Sequence, residues 1–271
     1  MKKKFSLKCL RTFIIKIIYL FLVAAGIILI LHWSLNVKAS NNFIQKRSFN
    51  KRTKTQIIKT NIDGKGAKLI IDFRTGKTHL NSLFAIWYED TSGNFIQTLY
   101  VSKVIATSIF KYGIKIYEEW QLAVVRKPAA LPYWSHQRGI EAEDGFFLPT
   151  PKDPVPDGIT GATPPGNFIL KSRTNSKTPI NITVLLEINQ AYDWNEYYTI
   201  DKYPDDPHYK DSQQPALVYA ATINLKSKQK TYNMKPIGHS HYSGQNGKLF
   251  KDLSKITTAL EIIDSIIIKV K

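Results

Sequence analysis

Cysteine is almost missing: Cys9 is the only one, and residues 10–271 have none. A disulfide framework and a cysteine nucleophile are thereby excluded from that stretch. A lipid anchor on Cys9 is excluded as well, because it follows Lys8 and precedes the apolar run described below. Acidic residues are absent from residues 1–60, which hold thirteen of the 38 Lys and Arg and leave 25 cations against 21 anions in the rest. The sequence pI of about 9.7 therefore belongs to the N-terminal region, and nucleic acid is not an expected partner. A G-x-S-x-G elbow and a lysine-bearing phosphate loop are both missing, so neither a serine hydrolase nor a nucleotide-cradling motif is legible. No residues are assigned as catalytic.

One long hydrophobic run is present, residues 17–35 (IIYLFLVAAGIILILHWSL). As an α-helix these nineteen residues span about 28 Å, close to the thickness of a bilayer's hydrocarbon core. They predict a transmembrane helix. Cations flank it almost evenly: Lys2, Lys3, Lys4, Lys8, Arg11 and Lys16 before, and Lys38, Lys46, Arg47, Lys51, Arg52 and Lys54 after. A long domain crosses a membrane regardless of charge, whereas a short basic tail resists, so the tail 1–16 is expected in the cytoplasm. The domain is then extracytoplasmic and the membrane is its first partner. The alternative is a signal peptide cut after Ala39, with Val37 and Ala39 as the small residues of the site and a secreted product. Residues 36–60 are polar and basic and read as a tether near anionic headgroups.

The region 61–271 is expected to form one domain. Short runs rich in Ile, Leu, Val and aromatics predict strands at 67–73, 83–89, 95–102, 182–188, 217–225 and 266–270, with turn signals such as Asp90-Thr-Ser-Gly-Asn94 between them. A short helix is expected near 255–264, where Thr258-x-x-Glu261 resembles a capping box. The pattern predicts an all-β protein, an antiparallel β-sandwich preceded by the membrane helix. Residues 126–166 differ, with eight prolines and five carboxylates. Proline cannot donate to a strand ladder, so this insertion is expected to pack as an ordered flap across one end of the sandwich.

The hairpin Ile86-Trp-Tyr-Glu-Asp-Thr-Ser-Gly-Asn-Phe-Ile-Gln-Thr-Leu99 resembles one found in the domain-of-unknown-function 2271 family of exported bacterial proteins. Leu131-Pro-Tyr-Trp134, Asp157-Gly-Ile-Thr-Gly-Ala-Thr163, Pro165-Gly-Asn-Phe168 and Val184-Leu-Leu-Glu-Ile-Asn189 follow in the order seen there. The resemblance covers roughly residues 65–271. It implies an immunoglobulin-like sandwich, similar to that part of the flagellar hook-capping protein, and no established activity or catalytic residues.

Candidate site residues come from rings and imidazoles in turn-rich segments. In Gly238-His239-Ser-His241-Tyr-Ser-Gly244, an extended backbone puts both imidazoles on one face, where they could share a divalent metal if His136 or His208 supplied a further ligand; backbone-bonded histidines are the other reading. The loop from Asp201 to Asp211 has several carboxylates but lacks the spacing of a calcium loop. Tyr133, Trp134, His136 and Trp194 are the candidates for contact with a ligand, by stacking on a glycan or on an envelope protein, or else they fill the core and the underside of the insertion. Trp134, Trp194, His136, His239 and His241 are expected to converge at one end of the sandwich. The function expected is binding or scaffolding at the bacterial cell envelope, with metal or carbohydrate handling, including hydrolysis, as the alternative.

Overall fold

The computed structural model describes residues 55–156 and 159–271. The tail 1–16, the predicted span 17–35 and the tether up to residue 54 lie outside the described residues. Among the described residues no helix is long and apolar enough to cross a membrane.

Period-two alternation builds the first sheet. It is five-stranded, in the order β1 (Gln56–Lys59), β8 (Phe168–Arg173), β2 (Lys68–Thr75), β13 (Ile263–Val270), β11 (Thr231–Asn233). Leu69, Ile71 and Phe73 of β2 are fully buried, whereas the residues between them are partly exposed, so one face points inward. β8 and β13 repeat the pattern with Phe168, Leu170, Ile266, Ile268 and Val270. β1 occupies the last residues of the predicted tether and pairs in parallel with β8 at the sheet edge.

The second sheet is six-stranded, in the order β12 (Lys235–His239), β10 (Leu217–Asn224), β9 (Asn181–Asn189), β3 (Leu83–Glu89), β4 (Phe95–Ser102), β7 (Thr160–Gly161). Its inner face meets the first sheet across a core centred on four rings. Phe73 and Phe168 from the first sheet stack with centroids 4.7 Å apart, and Phe84 of the second sits 5.1 Å from both Phe168 and Tyr100. The Thr60 hydroxyl, just after β1, donates to the Leu99 carbonyl of β4 at 2.7 Å and ties the two sheets together. The result is an all-β sandwich.

β3 and β9 break the simple alternation, because both of their faces are buried. Phe84, Ile86 and Tyr88 enter the inter-sheet core, while Ala85 and Trp87 enter a second core on the outer face. That second core is roofed by the proline-rich insertion, which supplies Ala130, Leu131, Trp134, Leu148 and Val155. The expected position across one end is thus corrected: apolar side chains on the outer face of β3, β4, β9 and β10 required a cover, and the insertion lies over them.

Three polar ties hold this roof. The insertion's short helix, Pro132–Gln137, begins with proline, whose fixed φ suits a first turn. Its free backbone N–H groups at Tyr133 and Trp134 donate to the Glu187 carboxyl of β9, at 3.1 and 2.7 Å. The Trp134 indole Nε1 donates to Thr98 Oγ1 of β4 at 3.0 Å. Arg126 uses all five guanidinium N–H groups, on both Asp144 oxygens, Ser108 Oγ and the carbonyls of Leu148 and Pro149.

Between β4 and the insertion stands a two-stranded hairpin, β5 (Ile109–Ile116) and β6 (Glu119–Val124), which belongs to neither large sheet. Its tip residues Tyr117 and Glu118 both have positive φ, as a two-residue hairpin turn of matching twist requires. Tyr112, Ile114, Ile116, Trp120, Leu122 and Val124 are all exposed.

Candidate functional site

At the end of the sandwich where β9 leads into β10, two long loops meet, residues 190–216 and 240–257. The first is stitched by amides. Asn195 Oδ1 accepts from the backbone N–H groups of Tyr197 and Tyr198 at 3.0 and 2.7 Å, and its Nδ2 donates to Gln214, to the Lys255 carbonyl and to Thr257. Gln214 Oε1 in turn accepts from Thr257 N at 2.8 Å, which joins the two loops. Asp193 accepts from Thr258, and burial raises its pKa. The predicted capping box is corrected here: Thr258 reaches Asp193 and Gln214, the turn is a 3-10 turn over Thr258–Glu261, and its N-cap Thr257 makes no side-chain cap bond.

The second loop is fixed by close approach. A Cβ on Gly244 would come within 2.1 Å of the Pro128 carbonyl oxygen, and Gly244 also has φ +77°. One on Gly247 would meet the His136 Cβ at 2.3 Å. Glycine lets this loop press against the insertion, so loop and insertion form one wall.

On that wall lies a row of rings. Tyr203 and Tyr242 stack with centroids 4.0 Å apart and planes within 4°. Tyr209, fully buried, meets both edge-on. His241 continues the row 4.3 Å from Tyr242, and Phe250 packs against both His241 and His239. Tyr203 and Tyr242 line a groove of about 440 Å³ with Asp205, Asp206, His208 and Gln245. His208 and Gln245 also line a smaller arm of about 190 Å³, where His136, Phe146, Phe147 and Ser243 complete the walls. His136 stacks on Phe147 at 4.3 Å, and Phe146 meets His208 edge-on at 5.4 Å.

The proton positions on the imidazoles follow from their partners. His239 Nδ1 lies 2.8 Å from the Ser240 carbonyl, and His136 Nδ1 lies 2.7 Å from the Pro132 carbonyl, so both carry their proton on Nδ1. His241 Nδ1 accepts from Ser243 N at 3.2 Å and is therefore bare, with the proton on Nε2. Burial lowers the His241 pKa against the pull of Asp206, with a smaller lowering contribution from His239. Among the described residues no three His, Cys, Asp or Glu side chains are grouped to hold a metal ion. In the acidic loop, Asp206 caps the N–H groups of His208 and Tyr209, and Asp211 pairs with Lys127 at 2.5 Å.

Of the five residues expected to converge, His136, His239 and His241 sit in or beside this ring-lined wall. Trp134 does not. It is fully buried in the second core, so it packs the insertion onto the sheet and offers a ligand nothing. Tyr133 packs its ring on Trp87 at 5.9 Å, and burial first, then the nearby Glu89 and Glu187, push its hydroxyl pKa up to about 12. Trp194 is 63% exposed but lines neither arm of the groove. Tyr203, Tyr242 and Gln245 are not among the expected site residues, although Tyr242 stands inside the Gly238–Gly244 segment and Tyr203 inside the Asp201–Asp211 loop, because nothing in the sequence shows that these two distant loops meet.

The chain matches no protein-family model, and no curated protein or solved structure matches it.

Proposed function

We propose that this chain is a binding module of the bacterial cell envelope, carried outside the cytoplasm on the 17–35 membrane helix, and that its ligand is a glycan laid along the ring-lined groove. The observation that carries the reading is the Tyr203–Tyr242 stack on the groove wall, flanked by the carboxylates of Asp205 and Asp206 and the amide of Gln245. Aromatic rings take the apolar faces of sugars, and carboxylates and amides take their hydroxyls. Loops on a rigid sandwich are where such contacts are usually built.

The immunoglobulin-like relationship and kinship with the domain-of-unknown-function 2271 family belong to the same proposal. They are supported by the way the resembling segments meet. Trp87 with Glu89, the Leu131–Trp134 turn and Glu187 all join at the second core. Motifs that serve one buried joint fit a shared fold better than a shared reaction.

The test is co-sedimentation of the full chain in detergent with insoluble cell-wall glycan. Wild type should pellet with it, and Tyr242→Ala and Asp205→Ala should each reduce the bound fraction several-fold. Equal retention of all three would remove the groove from the reading. Reporter fusions after residue 60 test the address, since a reporter active only in the cytoplasm contradicts it.

A scaffolding role has its own support in the exposed apolar hairpin β5–β6. Cross-linking through a cysteine placed at Leu122 should then trap a specific protein neighbour in cells.

A further inference from the structure

Two arginines twelve residues apart in the insertion have opposite fates. Arg126 spends every N–H on the protein. Among the described residues Arg138 finds no such partner for its guanidinium: Nη1 is buried with no hydrogen-bond partner, and no ion pair joins the group. The guanidinium carbon instead sits over the Trp134 ring, 5.1 Å from its centre. A buried charged donor left unmet is costly, so an arginine held this way asks for a partner.

The space beside it is a cleft of about 570 Å³, within the size range of small-molecule sites. Val124, Ile140, Leu148, Pro149 and Pro151 give it mainly apolar walls. Of the other charges lining it, Arg126 is paired with Asp144, and Lys152 faces Glu143 at 3.5 Å. Asp153 is near enough to raise the Arg138 pKa against the lowering effect of burial, yet it makes no hydrogen bond to the guanidinium. Together with Glu141 it makes the cleft unfavourable for a dianion. The cleft shares only Leu148 with the smaller arm of the aromatic groove, so it is a second site.

We infer that this cleft binds a monocarboxylate with an apolar tail, its carboxylate paired with the Arg138 guanidinium and its tail along the Val124–Leu148–Pro149 wall. The planar guanidinium fork matches the planar carboxylate and can hold both of its oxygens. Apolar walls shorten the reach of solvent and strengthen the pair.

Isothermal titration of the full chain in nanodiscs, with empty nanodiscs subtracted, tests this using octanoate, octanol and octyl phosphate. Octanoate should bind, octanol should bind at least tenfold more weakly, and the phosphate should bind more weakly than octanoate. Arg138→Gln, whose fold is checked by its melt, should lose octanoate at least tenfold while leaving octanol unchanged. Val124→Trp, a change at an exposed rim position, should weaken both octanoate and octanol. The inference is overturned if wild type does not bind octanoate, if octanol matches it, if octyl phosphate binds more tightly, or if both variants retain wild-type affinity for octanoate.

Discussion

The six-stranded sheet and the β5–β6 hairpin are built from similar residues and end in opposite environments. Both are rich in tryptophan, tyrosine, isoleucine and leucine. In the sheet, Trp87 and Tyr88 are neighbours on β3, and each is fully buried, one in each core. In the hairpin, Tyr112 meets Trp120 edge-on at 6.4 Å while both remain largely in solvent. The difference lies in what covers them. The sheet has a second sheet on one side and the insertion on the other, whereas a lone two-stranded ribbon has no layer to pack against. An aromatic residue therefore says little about role until its cover is known.

The largest effect should come from uncovering the sheet. Trp134→Ala removes a fully buried ring and its bond to Thr98, and is expected to cost about 3–5 kcal/mol in denaturant unfolding. Trp120→Ala in the hairpin should stay within about 0.5 kcal/mol, as exposed substitutions do. If the two variants cost the same, the hairpin is covered by something and the contrast fails.

Next in size is a pH effect at the joint between insertion and sheet. Burial pushes the Glu187 pKa up to about 8, against the lowering effect of its two backbone N–H bonds and Ser240. The folded state therefore holds a proton that the unfolded chain releases near pH 4.5. Protons bound in excess by the native state make stability fall as pH rises, here from about pH 5 to about pH 8. Glu187→Gln should flatten that slope when melting temperature is followed across the range. An unchanged slope would show that another group carries it.

A smaller loss is expected from Asn195→Ala. It leaves two backbone N–H groups without their acceptor, loses the contact to Gln214 in its own loop and unties two contacts to the second loop, so a loss of about 1–3 kcal/mol should accompany faster protease nicking within 190–216. At the bottom of the scale, Lys115→Ala breaks the exposed Lys115–Glu118 pair at the hairpin tip and should leave the melt unchanged.

Much of the sandwich was legible because half-buried strands write their burial into alternation. β3 and β4 fall where Ile86–Trp87 and Phe95–Leu99 predict them, joined by the Asp90–Asn94 turn, in which Asp90 accepts from Ser92 N and Asn94 N. The hairpin β5–β6 was not predicted, although Tyr112, Ile114 and Ile116 alternate with Lys111, Gly113 and Lys115 in a strand's period, since no glycine marks its Tyr117–Glu118 tip. β1 was hidden in a basic stretch, because an edge strand of four residues needs only one covered side chain. The site was less legible than the fold. His136, His239 and His241 stood out by residue type, but Trp134 stood out for the same reason and belongs to the core. Glu187 carried a signal that was available, a lone carboxylate inside Val184-Leu-Leu-Glu-Ile-Asn189, which a buried strand tolerates only with donors waiting for it. Arg138 carried none, since an unpaired guanidinium is visible only once its neighbours are in place.

The parallel pairing of β1 with β8 has a mechanical consequence. If the chain is tethered at its N-terminal side, any tension on the domain enters through Thr55 and reaches β1 before any other strand. β1 is held by a four-residue register from Gln56 opposite Phe168 to Lys59 opposite Lys171, and the Thr60 hydroxyl bolts the next residue to the opposite sheet. A pull along β1 shears all of these bonds together, whereas a pull across it opens them one at a time. The strand is thus the domain's fuse, and Thr60→Ala should lower the force at which the fold first yields.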